Sequence, residues 1–316
     1  MIFRSLIFFS LFYSSLFATD PLKFTEQDQV ITQYVTRLMS RYHYSHKKLE
    51  DKMAKQILDT YIKNLDPGKR FFTQKDIKQL SLYRNLVDDM LFDGDLDFAM
   101  KIYKRYITRL EERVHYIEKR ITQPFDFQKD DTYVFDREKS EWAKDQKALD
   151  QIWDQMIKNE ILISEFDKLQ AKKEKAAGSK KNDAIPAPSN ANEPPQQTFL
   201  KRYKRFLRFT KEDDHQNVLE FVLNAMTRTL DPHPAYHGAK TMEEWQIQMN
   251  LKLTGIGAQL QSEKGYTKIT KIIPGGPAHR DKRLQPGDLI YAVAQGNKNP
   301  IAVVEMRLSK VVSYIR

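Results

Sequence analysis

Residues 251–290 read LKLTGIGAQLQSEKGYTKITKIIPGGPAHRDKRLQPGDLI, a stretch cut into short pieces by glycine and proline. Leu251, Leu253, Ile256 and Ala258 lie on either side of a Thr-Gly-Ile-Gly turn. Gly255 and Gly257 carry no Cβ, so the turn there can take positive φ or admit another backbone closely. The pattern predicts a short strand over 258–261, a turn at Glu263-Lys264-Gly265, and a second strand over 266–273. Pro274-Gly275-Gly276-Pro277 breaks the sheet, 278–282 can form one helical turn, and Pro286-Gly287-Asp288 turns into a last strand over 289–294. A glycine-rich hairpin in an ordinary sheet is the plainer alternative.

Three pieces of this stretch, Gly-Ile-Gly-Ala at 255–258, Pro-Gly-Gly-Pro-Ala at 274–278 and Leu-x-Pro-Gly-Asp-x-Ile at 284–290, resemble a PDZ domain of the bacterial protease type in order and spacing. A PDZ groove takes the C-terminal carboxylate of a peptide on backbone N–H groups, and the peptide adds as a strand to a sheet edge. By that resemblance the N–H groups of Ile256, Gly257 and Ala258 form the carboxylate nest.

Upstream, the periodicity is helical. Val30, Tyr34, Val35 and Leu38 recur at three- and four-residue spacing in 25–41, with Thr25 and Asp28 as a capping box. A second helix over 49–65 carries Met53, Ile57, Leu58, Tyr61 and Ile62 on one face and stops at Asp66-Pro67-Gly68. Thr73 with Asp76 caps a third, bearing Ile77, Leu80 and Tyr83. After Asp93-Gly94-Asp95 a long charged helix covers 96–121, and a further one covers 136–165 through Trp142, Leu149, Trp153, Met156 and Ile157. Residues 168–197 pass from a lysine cluster into AIPAPSNANEPPQQ, which reads as a flexible insertion. Helix resumes over 199–209 and 214–230, ends at Asp231-Pro232-His233-Pro234, and returns after a Thr241/Glu244 capping box.

Several of these pieces resemble the N-terminal helical region of tail-specific proteases, the C-terminal processing peptidases. They are Tyr42-His43-Tyr44-Ser45, Leu65-Asp66-Pro67 with Phe71-Phe72, and Leu230-Asp231-Pro232-His233-Pro234-Ala235-Tyr236 followed by Glu243-Glu244. The resemblance implies a multidomain chain: an all-α helical domain over 22–249, carrying the insertion at 168–197, then a C-terminally partial PDZ domain (α+β, a small barrel or sandwich) over 250–316. It also implies a helical region that wraps a protease, a PDZ that recognises the substrate tail, and a later domain with a Ser/Lys dyad. That dyad falls beyond Arg316, so no catalytic residue is carried over and no catalysis is expected of this chain alone.

The start of the chain bears on location. One positive charge in Met1-Ile2-Phe3-Arg4, an apolar run to Phe17 and small Ala18 read as a signal peptide over 1–18, giving an exported, periplasmic protein. An uncleaved anchor is the alternative, and no later stretch is long and apolar enough to span a membrane. The net charge of +10 is spread along helices that also carry Asp and Glu, and no nucleic-acid module accompanies it, so nucleic acid is not an expected partner. Without cysteine there is no disulfide, thiol nucleophile or Cys-ligated zinc.

Other chemistry is thin. Ser45-His46-Lys47-Lys48 fits Ser-x-x-Lys but lacks its companion motifs, and Ser45 suits a helix cap. His233 and His237 are four apart, yet Pro234 between them spoils a helical metal pair. Asp66 and Asp231, each before a proline at a helix end, read as turn formers. No metal or cofactor is expected.

In 307–316, Leu308, Val311, Val312 and Ile315 recur at helical spacing. One side packs on the PDZ core and the other lines the groove with Leu260, unless all four are core. The expected peptide-binding set is therefore Gly255, Ile256, Gly257, Ala258, Leu260, Leu308 and Val312. The expected partners are unstructured C-terminal tails of exported proteins and an adaptor lipoprotein of the kind the family can use. A non-catalytic periplasmic PDZ adaptor or scaffold is the second reading.

Overall fold

A computed structural model describes residues 22–176, 193–231, 233, 235–249, 255–296 and 298–316. The expected signal peptide (1–18), part of the expected insertion (177–192), Pro232 and Pro234 of the expected helix stop, and the first residues of the PDZ stretch (250–254) lie outside the described residues.

The helical region consists of α1 (Glu26–Tyr42), α2 (Asp51–Leu65), α3 (Gln74–Leu80), α4 (Val87–Asp93), α5 (Asp97–Arg120), α6 (Gln146–Ala176), α7 (Pro195–Lys211), α8 (His215–Leu230) and α9 (Ala239–Met249). Helix α2 packs on α8, α5 on α7, α6 on α7 and α1 on α4. Tyr61, Phe72, Phe98, Tyr103, Trp153 and Phe199 are fully buried in the core between them. Local signals set the ends. Thr25 and Asp28 form a reciprocal capping box, as do Thr73 and Asp76. Asp66 ends α2 and its carboxylate accepts the N–H groups of Arg70 (2.8 Å), Phe71 (2.8 Å) and Phe72 (3.0 Å). Gly94 closes α4 at φ +73°, where a Cβ would sit 2.7 Å from the Gln29 carbonyl oxygen.

Four local expectations change. The helix expected from residue 136 begins at Gln146, because Asp145 caps it and Ala143 is instead bridged to Thr73, accepting the Gln74 N–H at 2.8 Å. It then runs to Ala176, nine residues into the expected insertion, and α7 begins at Pro195. Thr241 lies inside α9 and its hydroxyl donates to Glu220, so it is not a cap. The expected strand over 289–294 is two strands with different partners.

The C-terminal part holds β1 (Ala258–Glu263), β2 (Tyr266–Ile272), α10 (Pro277–Asp281), β3 (Leu289–Ile290), β4 (Ala292–Val293), β5 (Ile301–Ala302) and α11 (Leu308–Ile315). Strands β1-β2-β3 form one antiparallel sheet in that order, and β4 pairs with β5. The chain switches sheets at Tyr291, whose carbonyl accepts the Val303 N–H at 2.9 Å. Lys264 (φ +50°) and Gly265 (φ +88°) make the β1–β2 turn, a left-handed pair suited to a two-residue hairpin. Ile269, Ala278, Val303 and Val311 are its buried apolar side chains among the described residues. The architecture is multidomain, a helical region followed by a part with small antiparallel sheets.

Candidate peptide-binding site

The three sequence motifs of the C-terminal part meet in space. The Ile256 carbonyl accepts from Ala278 N–H (2.8 Å) and the Gly257 carbonyl from Ile273 N–H (2.9 Å), which fastens the turn before β1 to the loop before α10. Gly257 has φ +74°, and a Cβ on it would lie 3.0 Å from Pro277 Cδ. The third motif docks on β2: Gly287 N–H donates to the Ile269 carbonyl (2.7 Å), Ile269 N–H donates to the Asp288 carbonyl (2.9 Å), and the Asp288 carboxylate accepts Gln285 N–H (2.8 Å).

With those carbonyls engaged, the N–H groups of Ile256 and Gly257 have no acceptor among the described residues. Ala258 opens β1 opposite Ile272, and Leu260 pairs with Ile269 past a register shift. β1 is the edge strand of its sheet, with β2 on one side and no strand on the other among the described residues. Helix α11 packs against β1 and β4. Val311 is buried, while Leu308 and Val312 are half-buried. The expected residues therefore fall on three neighbouring pieces: the turn (Gly255, Ile256, Gly257), the edge strand (Ala258, Leu260) and the helix (Leu308, Val312).

A charged seam that the sequence did not reveal ties this part to the helical region. Arg307, the residue that caps α11, has an extended backbone, and its guanidinium donates to Asp213 Oδ1 at 2.8 Å. It lies over the Phe209 ring at 5.3 Å, with Nε 3.3 Å from Glu212. Asp213 is itself buried, and its other oxygen accepts the Tyr103 hydroxyl at 2.5 Å. Burial first, and Asp213 second, push the Tyr103 hydroxyl far above its ordinary pKa, so it stays a donor. Glu305 pairs with Arg205 (3.3 Å) and Arg208 (3.4 Å) of α7, and the Arg208 guanidinium also reaches the Glu305 carbonyl. These residues sit in unconnected stretches without periodicity, so nothing in the sequence pairs them.

The remaining chemical candidates are structural. Ser45 is in a loop, not at a helix cap, and its hydroxyl meets His43 Nδ1 at 2.8 Å. Lys48 is exposed and faces Glu50 at 3.8 Å, and Lys47 donates to the Leu230 carbonyl at 2.8 Å, so neither amine partners Ser45. Asp231 accepts the backbone N–H of His233 (2.7 Å), the Tyr44 hydroxyl and the His233 ring nitrogen Nδ1 (2.8 Å), while His237 faces Glu220 at 3.7 Å. The His233 backbone bond first, with the His233 ring, holds the Asp231 carboxyl below its ordinary range despite desolvation. Among the described residues no three His, Asp or Glu side chains gather as a metal site needs, and no helix is long and apolar enough to cross a membrane.

Comparison with known proteins matches both parts. The profile of the tail specific protease N-terminal domain matches residues 35–240, and that of the PDZ domain matches residues 244–316. A tail-specific protease of Haemophilus influenzae is 32% identical over 293 residues, which cover 92% of this chain and 39% of that protein. The chain thus spans about two fifths of the length of the relative it matches. With the N-terminal domain profile covering more than half of its residues and a PDZ domain following it, the chain belongs to the tail-specific protease family.

Proposed function

We propose that this chain is the N-terminal half of an exported, periplasmic tail-specific serine endopeptidase, and that its PDZ domain captures the C-terminal tails of substrate proteins. One observation carries the reading. A turn whose Ile256 and Gly257 N–H groups have no acceptor among the described residues leads into an edge strand, and a helix bearing half-buried Leu308 and Val312 packs against that strand. A peptide added along β1 gains main-chain hydrogen bonds, its terminal carboxylate meets the N–H groups, and its last side chain enters an apolar pocket. No cationic side chain is needed, so the overall basic charge is secondary. An adaptor lipoprotein is a fitting second partner.

The test is a labelled peptide ending in Val-Ala, compared with its C-terminal amide. Binding of the acid at about 1–100 µM, roughly −8 to −5.5 kcal/mol, is expected. Amidation removes the charge and turns a donor toward donors, so affinity falls sharply. Equal affinity for acid and amide in a folded sample would sink carboxylate capture. Loss of both with added salt would point to non-specific attraction by the lysines.

A further inference from the structure

In the tail-capture reading helix α11 forms one wall of the groove, and Arg307 at its start is tied to the helical region. Its N-cap residue, Arg307, makes no side-chain cap bond to its own helix, only the carbonyl bond to the Val311 N–H at 3.1 Å. The side chain leaves the C-terminal part altogether and ends on Asp213, between α7 and α8. Asp213 is not free to follow Arg307. It is buried, and one carboxylate oxygen is held by Tyr103, a fully buried residue of α5 whose hydroxyl also meets the Thr210 carbonyl at 3.2 Å. An unbroken line of short contacts therefore runs from the helical core through Tyr103 and Asp213 to the start of α11. Phe209 supports the guanidinium from its face, and the pairs of Glu305 with Arg205 and Arg208 hold the preceding turn, where Glu305 has φ +64° and its N–H donates to the Gly265 carbonyl at 2.6 Å.

We propose that Arg307, clamped by Asp213, is a positioning residue for tail binding: it sets where α11 begins and hence the distance between Leu308 and Val312 on the helix and the free edge of β1. The inference rests on the tail-capture reading above. Arg307 touches no part of the expected ligand and acts through the helix it starts. Within the C-terminal part α11 is held by buried Val311 and its packing on β1 and β4, and the Arg307–Asp213 contact adds a tie from its first residue to the helical region.

A planar, half-buried guanidinium that bonds Asp213 and faces the Phe209 ring is the reason arginine stands here. Lysine keeps the charge but gives a single point contact and no stacking face over Phe209. The experiment measures the affinity of the Val-Ala acid peptide and its amide for the full chain and for Arg307→Gln, Arg307→Lys, Asp213→Asn and the Arg307→Gln/Asp213→Asn double variant, with far-UV circular dichroism confirming the helical region in each. Arg307→Gln and Asp213→Asn should each weaken acid binding about tenfold, the scale of losing one hydrogen bond to a charged group. The double variant should be no weaker than either single one, because both remove the same contact. Arg307→Lys should recover only part of the affinity. Electron-spin distances between labels at Lys204→Cys and Ser313→Cys should broaden in Asp213→Asn, a change that a loss of helical stability elsewhere does not produce. Folded single variants that bind like the unaltered chain, or a double variant whose losses simply add, would overturn the positioning role alone. An unaltered chain that does not prefer acid to amide would overturn the tail-capture reading and this role with it.

Discussion

Gly257 lies directly against Gly276: a Cβ built on Gly257 would stand 3.1 Å from the Gly276 Cα, and one built on Gly276 would stand 3.2 Å from the Gly257 Cα. Two glycines from separate motifs thus let two backbones touch, and Gly257 adds a left-handed φ that side chains resist. Gly257→Val should therefore cost about 1–3 kcal/mol in the C-terminal part from strain alone. It should also abolish acid-peptide binding, while the far-UV spectrum of the helical region is kept. A Gly257→Val chain that still distinguishes acid from amide would show that the turn does not need this close approach.

Asp76 is a heavily bonded buried charge of the helical region. It is fully buried, and it accepts the Thr73 N–H (2.9 Å) and hydroxyl (2.8 Å), Arg105 (2.8 Å) and both arms of Arg109 (2.9 and 2.8 Å). Desolvation alone would raise its pKa, but the Arg109 fork and the Thr73 bonds prevail and hold the carboxyl below its ordinary value near 3.8. A depressed folded-state pKa gives stability that is present above the unfolded value and lost as pH falls through the folded one. Arg109→Ala should cost about 3 kcal/mol at neutral pH, the low end for breaking a buried pair, since Arg105 remains. The deficit should shrink below the ordinary carboxylate range, where Asp76 takes up a proton. Urea melts of both chains across pH 2.5–7 measure it; a deficit independent of pH would contradict the ion-pair account.

Some helix caps and stops were legible in the sequence because they depend on neighbours in the chain. Thr25, Thr73 and Asp66 do what their local patterns predict, whereas Thr241 lies inside α9 and Ser45 is in a loop. The inward face of α1 was not legible. Val30 and Tyr34 look like core residues, yet they are 63% and 68% exposed, while Thr32 and Thr36 are buried. Thr32 satisfies its hydroxyl on the Asp28 carbonyl at 2.8 Å, and Thr36 meets the Met226 sulfur at 3.8 Å. A hydroxyl that bonds within or beside its helix can go inside, so composition alone does not orient such a helix. In the C-terminal part glycine and proline marked the turns, and the edge position of β1 is seen in the strand order β1-β2-β3. The Arg307–Asp213 clamp joins residues 94 apart in the chain, and only the tertiary structure brings them together.

That orientation has a measurable consequence. Tyr34→Ser removes a large side chain from water and should change stability by less than about 0.5 kcal/mol. Met226→Ala, at a position with no exposure, should cost about 2–5 kcal/mol. Denaturant midpoints at constant slope report both. A large loss for Tyr34→Ser would show that the outward face of α1 is covered.

Trp153 joins packing to a single polar obligation. It is fully buried, it meets the Tyr203 ring edge-on at 4.7 Å, and its indole N–H donates to the Arg70 carbonyl at 2.7 Å. Trp153→Phe keeps an aromatic ring but leaves a small void and strips the carbonyl of its donor. The two losses together should cost about 3 kcal/mol. The denaturant midpoint read by circular dichroism gives the value. A loss under about 1 kcal/mol would mean that water replaces the indole N–H.

The last prediction concerns catalysis. A Ser/Lys hydrolase needs a neutral amine within reach of the serine hydroxyl and donors aimed at the oxyanion. The Ser-x-x-Lys pattern at Ser45 brings no amine to its serine, because it does not sit on a helix. The loop turns at His46 (φ +48°), Ser45 faces His43, and Lys48 points to Glu50 in solvent. Incubated with an unfolded protein bearing an apolar C-terminus, the purified chain should therefore leave it intact over hours, by gel and by mass spectrometry. Turnover abolished by Ser45→Ala would restore the Ser-x-x-Lys reading. Turnover that survives Ser45→Ala, in a preparation shown free of contaminating protease, would mean that these residues hold a nucleophile of another kind.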